Sequence, residues 1–137
     1  MSETVRVAAI QAKRRLIPYR WGFDEALEGV RANLNELVAL AERAAESGCR
    51  VVAFPEDTLG TLEWEAGHWE ETAAFLRLAE TAMLERFTDV AARRGVVILC
   101  CNDCADGGHV YNTAILIGSD GREIGRYRKV QLPLQEQ

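Results

Sequence analysis

Two residues have the type and placement for acid–base or carbonyl chemistry, Glu56 and Lys129. Glu56 closes the run Val51-Val52-Ala53-Phe54-Pro55-Glu56, whose first four residues are apolar. That is the pattern of a strand buried on both faces. Pro55 has no N–H to give to a sheet ladder and ends the strand. The carboxylate is thereby delivered at the carboxyl end of a central strand, where open α/β sheets bind ligands. There it could serve as a general base, its pKa tuned by partial burial behind Phe54 and Pro55. The other reading is a solvated loop carboxylate. Lys129 ends the segment Gly125-Arg126-Tyr127-Arg128-Lys129, and the sixteen Lys and Arg residues include only two lysines, Lys13 and Lys129. A chain that writes its solvated cations as Arg points to a need for a compact ammonium at Lys129. An edge-strand lysine that deters aggregation is the alternative.

The cysteines come next. Cys101-Asn102-Asp103-Cys104 is a C-x-x-C with His109 beyond it. A redox pair wants a helix N-terminus to lower a thiol pKa, whereas Ala105-Asp106-Gly107-Gly108 reads as a turn into a strand. Structural zinc wants four ligands, and no second pair is present. A thiol redox or metal role is therefore the weaker hypothesis, and Cys101 and Cys104 are expected to be incidental at a strand end. Cys49 and Cys100 are most simply small core residues. No cofactor and no metal are expected.

The elements that would hold these groups alternate. A strand at Val5–Gln11 is followed by an aperiodic loop to Phe23. Asp24 is a credible N-cap for a helix to about Ser47, stopped by Gly48. Its apolar stripe is Leu27, Val30, Leu34, Leu37, Val38, Ala41 and Ala45. The strand leading to Glu56 follows, then a loop from Asp57 to Gly67. A second helix is predicted from about His68 to Arg94, with Phe75, Leu78, Ala79, Ala82, Met83, Phe87, Val90 and Ala91 inward and Gly95 as its stop. Val96–Cys101 is a third buried strand. Val110–Ile117 and Arg122–Val130 flank Asp120-Gly121, a strong hairpin signal. The order β-α-β-α-β-hairpin makes the first three strands parallel with right-handed crossovers, in an α/β fold.

Composition narrows the function classes. The 137 residues suit one domain, and 48% hydrophobic with 27% charged residues is ordinary globular composition. Net charge is −5 with the signs mixed, which argues against nucleic acid as a partner. No apolar leader or long apolar run is visible, so no membrane association and a cytoplasmic location are the expectation.

Taken together, Val5-Arg6-Val7-Ala8-Ala9-Ile10-Gln11, Gly48 to Glu56, Tyr111-Asn112-Thr113-Ala114, Asp120-Gly121 and Tyr127-Arg128-Lys129-Val130-Gln131-Leu132-Pro133 resemble the nitrilase superfamily of carbon–nitrogen hydrolases, in the family's order and over essentially the whole chain. The resemblance implies an α-β-β-α sandwich, here a partial one, and a Glu-Lys-Cys constellation often joined by a second glutamate. By motif, Glu56 would be the general base, Lys129 would stabilise the oxyanion, and Glu136 would be the second glutamate. Many members have histidine where this chain has Gln131. Small amides, N-carbamoyl compounds or nitriles would be the substrates. The family's nucleophilic cysteine lies well downstream of the lysine, and the chain reaches Gln137 only eight residues after Lys129. The expectation is an N-terminal part of the domain, residues 1–137, truncated after the lysine motif and inactive alone. A non-catalytic interaction or regulatory module of the same fold is the alternative.

One consequence concerns packing. If strand order does not reverse, both helices fall on one face of the sheet. The other face is then expected to expose an apolar patch from Val7, Val52, Ile98 and Ile115, so the chain should form a homo-oligomer or associate with a missing C-terminal half.

Overall fold

The computed structural model describes residues 4–13 and 15–131. The elements are β1 (Val7–Ala9), α1 (Phe23–Glu46), β2 (Val51–Ala53), α2 (Leu62–Glu65), α3 (Thr72–Arg94), β3 (Val97–Asp106), β4 (His109–Ile117) and β5 (Glu123–Arg128). They form one five-stranded sheet in the order β1-β2-β3-β4-β5. The first three strands are parallel, with Val7 beside Val51 and Val51 beside Val97. The last three form an antiparallel meander.

β1 is shorter than the apolar run around it, but its ladder extends from Arg6, whose carbonyl accepts from Arg50 N, to Ile10, whose N–H reaches Ala53 O at 2.8 Å. α1 starts one residue before the expected cap. Gly22 is at the N-cap without a side-chain bond, and Asp24 lies in the first turn, where a carboxylate complements the helix dipole. Both long helices stop at glycines in the left-handed region, Gly48 at φ 83° and Gly95 at φ 64°. At the first, Gly48 N donates to Ala45 O and Cys49 N to Ala44 O, the paired bonds of a Schellman turn. Cys49 is thereby tucked into the core.

Two helical boundaries differ from the sequence reading. The loop after Glu56 contains the one-turn α2, and α3 starts at Thr72 rather than His68. A single turn is too short to show a period. Its anchor is Trp64, fully buried, stacked on Phe75 at 4.0 Å and on His68 at 4.1 Å, with its indole N–H donating to Trp21 O. On α3, Leu76 is buried and Leu78 is half exposed, a reversal within the expected stripe.

α1 and α3 pack side by side on one face of the sheet, as parallel crossovers without reversal require. Side chains alternate along each strand. On β3, Ile98, Cys100, Asn102 and Cys104 are buried beneath the helices, while Leu99 is 36% exposed. Here the expected patch is corrected: Val52, Ile98 and Ile115 are fully buried on the helix side. The open face instead carries Val7, Val51, Val97, Leu99, Ala114, Leu116 and Tyr127, of which Val7 and Tyr127 are 58% and 63% exposed. Residue type does not set the phase here, because β2, β3 and β4 are apolar on both sides. Among the described residues no helix is long and apolar enough to cross a membrane.

Candidate active site

Glu56 emerges where β2 loses its ladder. Phe54 N donates to Leu99 O, Pro55 has no N–H, and the chain next bonds to β3 through Thr58 N and Cys101 O at 2.9 Å. The Thr58 hydroxyl donates to Pro55 O at 2.8 Å and accepts from Cys101 N at 3.1 Å. Asn102 adds two more ties, accepting from Leu59 N and donating to Thr61 Oγ1. Asp57 takes the left-handed region at φ 54°, which Asp tolerates better than most residues, and its Oδ1 accepts from Thr61 N at 2.8 Å. The turn that presents Glu56 is therefore fixed on both sides.

Lys129 follows β5. Along that strand Arg126 and Arg128 face the helix side, paired with Glu80 and Asp106, and Arg128 lies 3.9 Å over the Tyr111 ring. Tyr127 and Lys129 alternate to the open face. Lys129 N donates to Asn112 O, extending the ladder by one residue, and its Nζ reaches Glu56 Oε1 at 2.9 Å. The structure thus brings together the two residues singled out from the sequence, 73 positions apart. The Glu56 side chain is 51% exposed, so the burial expected behind Phe54 and Pro55 is absent. Glu136 lies outside the described residues, and Gln131 is exposed.

Two neighbours were not singled out from the sequence as site residues. Asn112 Nδ2 donates to the same Glu56 Oε1 at 2.9 Å, and the Cys101 thiol donates to Asn112 Oδ1 at 3.5 Å. The signal for Asn112 was available, since a hairpin centred on Asp120-Gly121 sets Asn112 opposite Lys129. Cys101 and Cys104 are three apart in the middle of one strand, not at its end. They face opposite sides, so they can neither pair nor share an ion. Burial pushes the Cys100 and Cys104 thiols up to about 12. Cys101 is also raised, by burial and then by the Glu56 charge, so none of these three is a ready thiolate.

Behind the Glu56 loop, Glu65 is buried beside Thr61, Asp103 and Asp57, and burial lifts its carboxyl to about 8. A cleft of about 290 Å3 lies on the helix side, lined by Glu80, Cys104, Asp106, Thr113, Arg126 and Arg128. It contains neither Glu56 nor Lys129, and its guanidiniums are already paired.

The carbon–nitrogen hydrolase family model matches residues 6–137. An aliphatic nitrilase of Rhodococcus rhodochrous is 26% identical over 95% of this chain and 35% of its own length. A deaminated glutathione amidase of Synechocystis is 30% identical over 73% of this chain and 36% of its own. The crystal structure of an amidase from Nesterenkonia superposes with a TM-score of 0.71 at 22% identity, covering 94% of this chain and 44% of that one. The chain thus spans about a third of the length of the curated relatives it matches.

Proposed function

This chain belongs to the carbon–nitrogen hydrolase family, and from that premise we propose that it carries the base and the cation of a site cleaving C–N bonds in small amides, N-carbamoyl compounds or nitriles. The observation that supports this reading is the contact of Glu56 and Lys129 at 2.9 Å on the open face of the sheet. An ion pair this exposed contributes only about 0–1 kcal/mol to folding, so stability gives little reason to hold a lysine there.

In the proposed reaction on an amide, a cysteine thiol gives its proton to Glu56 while sulfur attacks the carbonyl carbon. Lys129 meets the negative charge gathering on oxygen. The tetrahedral adduct collapses, the C–N bond breaks, and Glu56 returns the proton to the leaving nitrogen as ammonia departs. Water, deprotonated by Glu56, then opens the thioester to release the acid and restore the thiol. Glu136 is proposed as the second glutamate that orients this pair. The nucleophile is proposed to come from a segment C-terminal to the lysine motif, residues 1–137 being the N-terminal part of the domain. The thiols support this: Cys49 and Cys100 are buried in the core, Cys104 points under the helices, and Cys101 is raised rather than activated.

The test is to read the coding frame past Gln137, express the protein it encodes, and measure ammonia release from the three substrate classes. Glu56→Gln and Lys129→Ala are each expected to lower turnover by at least ~100-fold. Full turnover in Glu56→Gln would sink the reading.

A further inference from the structure

We infer that Asn112 is a positioning residue of this site, holding Glu56 through its side chain and Lys129 through its main chain. The inference deepens the hydrolase reading and rests on it for the roles of Glu56 and Lys129. Asn112 lies on β4, opposite Asp103 of β3 on one side and next to the Thr113–Arg128 pair on the other. Its carbonyl accepts the Lys129 N–H at 2.9 Å, which sets where the lysine leaves the sheet. Its Nδ2 and the Lys129 ammonium meet on one oxygen, Glu56 Oε1, each at 2.9 Å.

The orientation of the amide follows from its other neighbour. The Cys101 thiol is a weak donor, and its Sγ lies 3.5 Å from Asn112 Oδ1, with burial and the Glu56 charge favouring the protonated form. With Oδ1 toward Cys101 and Nδ2 toward Glu56, the amide accepts from the thiol and donates to the carboxylate. A flipped amide would set oxygen against carboxylate. Cys101 thus acts as a latch on Asn112, a use for this cysteine that requires no reactivity. Asn112 sits in regular strand, and from there its amide reaches the half-exposed Glu56 side chain.

The experiment follows the Asn112 side-chain amide by 15N NMR in the 137-residue chain, its signal assigned by its loss in Asn112→Asp. The signal is expected to move with pH in a single titration that disappears in Glu56→Gln. In Asn112→Ala, the Glu56 midpoint, read in wild type and variants from the 13C shift of the Glu56 side-chain carboxyl, is expected to rise by at least ~0.5 pH unit, because a hydrogen bond to the charged form has been removed. Asn112→Asp should raise it further by setting a second negative charge beside it. An amide signal indifferent to pH, or a Glu56 midpoint unchanged in Asn112→Ala, would overturn the inference. Should Asn112→Ala fail to fold, the wild-type titration decides alone. None of these readouts needs turnover. Loss of the hydrolase reading would show as ammonia release surviving Glu56→Gln, separately from the amide signal.

Discussion

On the helix side of the sheet, Val52, Ile98, Cys100, Ile115 and Ile117 are sealed under α1 and α3. On the other side, Val7, Leu99 and Tyr127, no less apolar, lie in contact with solvent, and at the edge of that face stand Cys101, Asn112, Glu56 and Lys129. Residue type does not separate the two faces. The connections do: two right-handed crossovers in unreversed strand order must put both helices on the same side. The covered face is therefore a core, and the open one is the surface that presents Glu56 and Lys129.

Truncating side chains on the two faces should separate them most strongly. Phe87, fully buried and stacked on Phe54 at 4.9 Å, is expected to lose about 3–5 kcal/mol in Phe87→Ala, read by denaturant unfolding. Ile98→Ala should cost about 2–5 kcal/mol, while its chain neighbour Leu99→Ala should cost under ~1 kcal/mol. Equal costs at Ile98 and Leu99 would mean that the open face is covered in solution.

Glu65 tests the ground under the site. Its carboxyl titrates near 8 in the fold against a usual 4.5, so between those values the folded state binds more protons than the unfolded one. Stability from this group is fully present below about pH 4.5 and is lost as pH rises toward 8. Glu65→Gln, which keeps a donor toward Asp103, is expected to flatten that decline and raise the melting temperature by several degrees at pH 8. An unchanged pH profile would place Glu65 in water.

Smaller effects belong to the open face. Leu99→Thr with Tyr127→Thr should reduce hydrophobic-dye binding and any self-association seen by sedimentation, with less than ~1 kcal/mol change in stability. Lys129→Ala should likewise change unfolding by less than ~1 kcal/mol, separating the role of the pair in a site from any role in the fold.

Much of this architecture was legible in the sequence because each signal had a local cause. Gly48 and Gly95 stop helices by their left-handed backbone, Pro55 ends β2 by its missing N–H, and Asp120-Gly121 turns the last hairpin. Glu56 and Lys129 were legible as candidates by type and place. What escaped was set by contacts between distant segments. Trp64 forms a helical turn because Phe75 and Trp21 receive its ring and its N–H, which no local period reveals. The phase of each strand escaped because Val51 and Val52, or Ile98 and Leu99, are interchangeable in hydrophobicity. Asn112 escaped as a site residue because its meaning lies in the register, and Cys101 because the C-x-x-C spacing drew attention to a pairing that a strand forbids.

Glu56 and Lys129 are proposed as the base and cation of a site whose nucleophile is not among the thiols of residues 1–137. The most direct measurement incubates the 137-residue chain with small amides, N-carbamoyl compounds and nitriles, following ammonia release and the mass of every cysteine-bearing peptide. The 137-residue chain is expected to release no ammonia and to carry no acyl adduct on Cys49, Cys100, Cys101 or Cys104. Ammonia release together with a thioester on Cys101, both abolished by Glu56→Gln, would contradict it.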